Sequence, residues 1–233
     1  MQSPVIVALD FETGLDAMDL VRQLGAESGF YKVGLQLLTE EGPTIVRELV
    51  AMGKEVFLDL KLHEIPNSVA GGVNAAGKLG ASMVTVHASG GSAVLKAAVA
   101  AAAPYPNLKV LALTVITSLS DSDLPEIGLS PSVEQQVDLL SQLAANCGCH
   151  GVVASAQEAA RLSRRLPAGM LIVTPGIQLR GAAGKDQARV ATPAFARENG
   201  ATHVVIGRAI TRAPSPREAF ALAWAGMQRS GGA

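Results

Sequence analysis

Apolar residues recur along this chain in two alternating rhythms. Short runs rich in Val, Ile and Leu alternate with longer Ala- and Leu-rich runs whose apolar positions return at helical spacing. The short runs predict strands at residues 5–9, 31–33, 55–59, 83–86, 110–115, 151–153, 171–173 and 204–206. The longer runs predict helices over 16–27, 39–52, 67–79, 92–103, 133–146, 157–166, 193–199 and 216–227. The strand segments are apolar throughout, as parallel strands covered on both faces should be. Gly53, Gly80, Gly169 and Gly200 stand where helices hand over to strands, a place suited to left-handed backbone. Eight strand–helix units in 233 residues predict an α/β protein folded as a (β/α)₈ TIM barrel. No Pro- or Ser-rich linker divides the chain, so residues 1–233 read as a single domain. The alternative is an open doubly wound sheet, but no Gly-x-Gly-x-x-Gly turn follows the first strand.

Composition narrows the picture. Hydrophobic residues make up 48% of the chain and aromatics only 3%, so the core is aliphatic. A net charge of -1 argues against a nucleic-acid partner, which demands a basic face. The N-terminus lacks the basic start and long apolar region of a secretory signal, and no apolar run reaches the roughly 18 residues of a membrane span. A cytoplasmic protein without a membrane partner is the expectation. Cys147 and Cys149 read as two reduced thiols near a helix end, since two cysteines alone do not build a zinc site.

In a barrel, chemistry gathers where strands end and βα loops begin. Asp10, Asp59, Lys61, Glu64, His87, Thr117, Ser118, Gly207 and Arg208 fall at such positions, and Lys32 lies within the second strand. Charges gathered at one barrel mouth must pair to offset their desolvation. Asp59 and Lys61 are two apart on a strand, which points both to one face. A lysine among carboxylates keeps its proton and can act as an acid. Close carboxylates also repel an anionic substrate carboxylate and favour its loss as carbon dioxide. Gly207 lets a phosphate approach the backbone and Arg208 can clamp it. The polar, Gly-containing stretch 174–190 has the length of a lid over a ligand.

Together these residues resemble the orotidine 5′-phosphate decarboxylase family in its bacterial form. The resemblance runs along essentially the whole chain. It is carried by Val7-Ala8-Leu9-Asp10, Tyr31-Lys32-Val33-Gly34, Val86-His87-Ala88-Ser89-Gly90-Gly91, Leu113 to Ser118, Thr174-Pro175-Gly176-Ile177, Asp186-Gln187 and Ile206-Gly207-Arg208. Most specific is the run Asp59-Leu60-Lys61-Leu62-His63-Glu64-Ile65-Pro66-Asn67-Ser68. The resemblance implies decarboxylation of orotidine 5′-monophosphate with no metal or organic cofactor. It implies that Lys61 protonates the C6 carbanion, and that Asp59 sits beside the scissile carboxylate and, with Lys32, orients Lys61. Glu64 would cross a homodimer interface to complete a shared site. Asp10 and Lys32 would hold ribose hydroxyls, Thr117 and Ser118 the pyrimidine, Gln187 phosphate and base, and Gly207 and Arg208 the phosphate. Ser68 and Gln178 complete the expected substrate-binding set. Three positions depart from the family pattern: Glu64 replaces the usual Asp, Gln178 the usual Arg, and Ser68 the usual Thr. Arg180 is a candidate to supply the charge missing at Gln178.

Three other readings stay open. A metal-dependent sugar-phosphate epimerase needs several strand-end ligands, and of His63, His87, His150 and His203 only His87 clearly ends a strand. A 3-keto-gulonate phosphate decarboxylase shares Asp-x-Lys-x-x-acid, but Ile65-Pro66-Asn67 favours the nucleotide enzyme. A non-catalytic barrel is the third.

Overall fold

The computed structural model describes residues 3–130, 132–179 and 191–228. Eight strands pair in parallel and close into a barrel in chain order. They are β1 (Val5–Ala8), β2 (Phe30–Gly34), β3 (Glu55–Leu62), β4 (Met83–His87), β5 (Lys109–Leu113), β6 (Gly151–Val153), β7 (Leu171–Thr174) and β8 (His203–Ile206). Ten α-helical segments among the described residues follow the strands. They are α1 (Gly14–Leu24), α2 (Leu35–Glu41), α3 (Thr44–Ala51), α4 (Pro66–Lys78), α5 (Gly91–Ala102), α6 (Val133–Asn146), α7 (Ala156–Arg165), α8 (Pro193–Glu198), α9 (Arg208–Thr211) and α10 (Pro216–Met227). The (β/α)₈ barrel expected from the alternating rhythm is the fold observed. The expected helix over 39–52 is corrected to two. Gly42 ends α2 at φ 61°, and Pro43, which has no N–H to donate, occupies the N-cap of α3. The short α9 was not anticipated, because four residues carry too little periodicity to read.

Period-two alternation on the strands sorts the core into two parts. One set faces into the barrel: Ile6 and Ala8, Phe30, Phe57, Met83, Leu111 and Leu113, Val153, Val173 and Val205. The other set, such as Val5, Val7, Tyr31, Val33, Val56 and Leu58, packs against the surrounding helices. At Gly151, facing Leu111 and Leu171, an added Cβ would lie 2.5 Å from the Leu171 carbonyl oxygen. Gly53, Gly80, Gly169 and Gly200 have φ between 73° and 90°, as their helix-end positions predict. Cys147 and Cys149 are free thiols, and burial pushes Cys149 up to about 12, which keeps it protonated and unreactive. Among the described residues no helix is long and apolar enough to cross a membrane.

Continuing each inward series one step toward the carboxyl ends of the strands changes its chemistry. Ala8 leads to Asp10, Phe30 to Lys32, Phe57 to Asp59 and Lys61, Met83 to Thr85, and Val205 to Gly207. The apolar interior is thus a floor beneath a polar rim. The opposite end of the β8 series is His203. Its ring lies edge-on to Phe30 with centroids 6.2 Å apart, and burial pushes its pKa down from 6.5 to about 4. The folded state therefore holds this imidazole neutral while the unfolded chain takes up a proton below its ordinary pKa. Stability is complete above pH 6.5 and is lost as pH falls toward 4, on the order of 3 kcal/mol across the window. Urea unfolding at stepped pH should show the wild type losing more stability than His203→Gln between pH 6.5 and 4. Parallel profiles would contradict this assignment.

Candidate active site

The polar rim carries a row of four charges of alternating sign. The Lys32 ammonium lies 2.8 Å from Asp10 Oδ1 and 4.0 Å from Asp59 Oδ2, and the Lys61 ammonium lies 2.8 Å from the same Asp59 oxygen. Lys32 and Asp59 are largely buried, with side chains 11% and 15% exposed. Ions that deep are tolerable only when opposite charges neutralise them at contact distance, and this row has two of each sign. Gly34 keeps the row closed, because a Cβ there would stand 3.0 Å from Lys32 Nζ.

The contact between Asp59 and Lys61 was expected from simple alternation, and the structure corrects the reason. Lys61 has φ 49°, the single non-glycine residue with positive φ among the described residues. Between the pairs Leu58–Val84 and Leu62–Val86, four residues of β3 advance against two of β4, so the strand bulges. The backbone N–H of Lys61 donates not to a β4 carbonyl but to Thr85 Oγ1, at 2.8 Å. The Thr85 hydroxyl in turn donates to Asp59 Oδ1 at 3.0 Å. One buried hydroxyl thereby fixes both members of the ion pair. Left-handed backbone costs a β-carbon residue roughly 1–3 kcal/mol, and such strain gathers at functional sites. Sequence reasoning missed Thr85. The available signal was a lone hydroxyl on the inward face of the apolar run Met83-Val84-Thr85-Val86.

A cavity of about 550 Å³ opens above the charged row. That volume suits a small-molecule ligand. Of the expected residues, Asp10, Lys32, Asp59, Lys61, Thr117, Gln178, Gly207 and Arg208 line it together. Ala8, Phe57, Leu113, Val153 and Val205 make its apolar floor, and Arg212, which sequence reasoning overlooked, joins Arg208 on its wall. Other expected residues are not brought in. Ser118 is exposed and does not line the cavity, one residue beyond Thr117. Glu64 and Ser68 are exposed at the start of α4 and do not line the cavity of their own chain. There the Ile65 N–H and the Ser68 side chain donate to Glu64, holding its carboxyl below the usual carboxylate range. The loop after β7 is pinned at its base, where Ile177 pairs with Ala191 and Gln178 N–H donates to Ala191 O at 2.9 Å. Gln187, Asp186 and Arg180, and most of the expected lid, lie outside the described residues.

His87, half-buried at the end of β4, stacks on His63 with centroids 4.9 Å apart. Burial first, then the neighbouring His63 and Lys61, push its imidazole below the ordinary range. Among the described residues no group of three His, Cys, Asp or Glu side chains could hold a metal ion.

Comparison with known proteins gives the family. The model of the orotidine 5′-phosphate decarboxylase / HUMPS family matches residues 3–223. The chain is 48% identical over 215 residues to orotidine 5′-phosphate decarboxylase of Laribacter hongkongensis, covering 92% of this chain and 88% of that one. It is 44% identical over 214 residues to the enzyme of the same name from Pseudoalteromonas translucida, covering 91% and 92%. The crystal structure of orotidine 5′-phosphate decarboxylase from Lactobacillus acidophilus superposes with a TM-score of 0.86 at 35% identity, covering 97% of this chain and all of that one. With a family model spanning nearly its full length and relatives this similar, the chain belongs to the orotidine 5′-phosphate decarboxylase / HUMPS family.

Proposed function

We propose that the chain is a carboxy-lyase that converts orotidine 5′-monophosphate to UMP and carbon dioxide, the last step of de novo pyrimidine nucleotide synthesis. The observation that carries this reading is the Lys61–Asp59 pair, 2.8 Å apart on one wall of a cavity that Gly207 and Arg208 line as well. Relatives of that name at 44–48% identity support the substrate. In the closed barrel β7 stands four strands from β3, so the loop after β7 is diametrically across from the charged pair. A nucleotide spanning the mouth meets β3 with its base and the β7–β8 side with its phosphate.

The Asp59 carboxylate sits beside the substrate carboxylate, and their repulsion is relieved as carbon dioxide leaves. The carbon–carbon bond breaks and its electron pair stays on C6. Lys61 Nζ, held on Asp59, delivers its proton to C6 and later recovers one from water. Neither a metal nor an organic cofactor enters this route. Asp10 and Lys32 hold the ribose hydroxyls, Thr117 and Ser118 contact the pyrimidine, Gln178 and Gln187 serve the phosphate side, and Gly207 and Arg208 bind the phosphate. Binding energy from these remote contacts acts on the reacting carbon.

The chain works in the cytoplasm as a single-domain protein that pairs into a homodimer. Glu64, with Ser68 beside it, serves the neighbouring protomer's site. Support comes from their exposure outside their own cavity and from apolar side chains exposed at the same end of the barrel. Leu35 is 59% and Ile65 61% exposed. A second copy of the chain would cover them.

Chelator-treated wild-type protein should release carbon dioxide from orotidine 5′-monophosphate in a direct assay, and a folded but inert sample would sink the proposal. Lys61→Ala should lose turnover by several orders of magnitude while still binding UMP. An active Lys61→Ala variant would remove the proton-donor role. Mixing Lys61→Ala chains with Glu64→Ala chains should restore activity, since each mixed dimer regains one intact site. No recovery despite demonstrated subunit exchange counts against the shared site. Thr85 acts here as a positioning residue. Thr85→Val should lower kcat about 10- to 100-fold with little change in KM, and Thr85→Ser should restore it. A Val variant with unchanged kcat would dismiss the role.

A further inference from the structure

The wall formed after β8 carries two arginines rather than one. Arg208 opens α9, and the Arg212 backbone N–H donates to the Arg208 carbonyl at 3.0 Å, a helical bond that sets the two residues one turn apart. Residues four apart lie on one helix face, and both of these line the cavity. Two cations at that spacing suit an anion bound between them. Among the described residues no carboxylate pairs with Arg212. Gln178, also on the cavity wall, contributes no charge. The row Asp10, Lys32, Asp59 and Lys61 is already balanced within itself, so it has no positive charge to spare for a ligand's phosphate.

We propose that Arg212 is a phosphate-binding and specificity-determining residue that, with Arg208, clamps the phosphate dianion of the substrate. A phosphate monoester carries close to two negative charges near neutral pH, and two planar guanidinium forks one turn apart match both its charge and its several acceptor oxygens. Arg208 alone would leave roughly one charge unmatched. This inference rests on the nucleotide reading proposed above, and it assigns the 5′-phosphate, rather than base or ribose, as the group that Arg212 reads.

The test compares wild type, Arg212→Ala and Arg212→Lys by calorimetric titration with UMP and by competition with uridine, which lacks the phosphate. Arg212 is exposed, and thermal unfolding checks that each variant is folded. The preference for UMP over uridine should fall about tenfold or more in Arg212→Ala and by less in Arg212→Lys, which keeps charge but not the fork. A preference within twofold of wild type in a folded Arg212→Ala protein overturns the proposal, as does a wild type that binds UMP no better than uridine. The functional reading fails separately. A wild type that binds UMP through Arg212 yet releases no carbon dioxide from orotidine 5′-monophosphate would refute the decarboxylase and leave the clamp standing.

Discussion

The site depends on a row of alternating charges held where the barrel's apolar floor gives way to its mouth. Asp59 is its hinge, because it touches Lys61 at 2.8 Å, approaches Lys32 at 4.0 Å and accepts the Thr85 hydroxyl at 3.0 Å. A carboxylate this buried would be costly alone. Each neighbour offsets that cost, and each is in turn held in place by it. The ionic row therefore stabilises itself while keeping an ammonium and a carboxylate in reach of one ligand.

Backbone geometry was adapted to this row. A regular β3 would run its hydrogen-bond ladder straight past β4, but the strand bulges and Lys61 adopts φ 49°. Thr85 takes over the ladder position with its hydroxyl. The same hydroxyl supplies the hydrogen bond that completes Asp59. Strain in the main chain is thus compensated by the polar contacts that position the reacting groups, which ties local stability to chemistry.

The cavity has two ends of different character. On the β3 side, charges are balanced internally and held rigidly. On the β8 side, glycine and arginine offer backbone and cation to an anion. The row begins at Asp10, beside β8, and the Asp59–Lys61 pair on β3 lies three strand steps round the barrel from β8. Contacts made at one end can therefore be used to favour chemistry at the other.

The sequence by itself determined the barrel, its parallel strands and most of the charged rim. Strand periodicity and length are local properties, and the inward series Phe57–Asp59 and Phe30–Lys32 follow from alternation alone. Only the tertiary structure decided how Lys61 meets Asp59, because a bulge arises from pairing with β4 and is not written in β3. Thr85 shows in the sequence only as a lone hydroxyl on an inward face, and its importance lies in the hydrogen bonds it makes to the neighbouring strand. Arg212 drew no notice in the sequence and joins the cavity wall through the short α9, while Glu64 and Ser68 are exposed and do not line their own chain's cavity. Alternation and apolar runs are encoded by neighbours in sequence, whereas strain, hydrogen bonds between strands and the facing of a cavity are settled by residues distant in the chain.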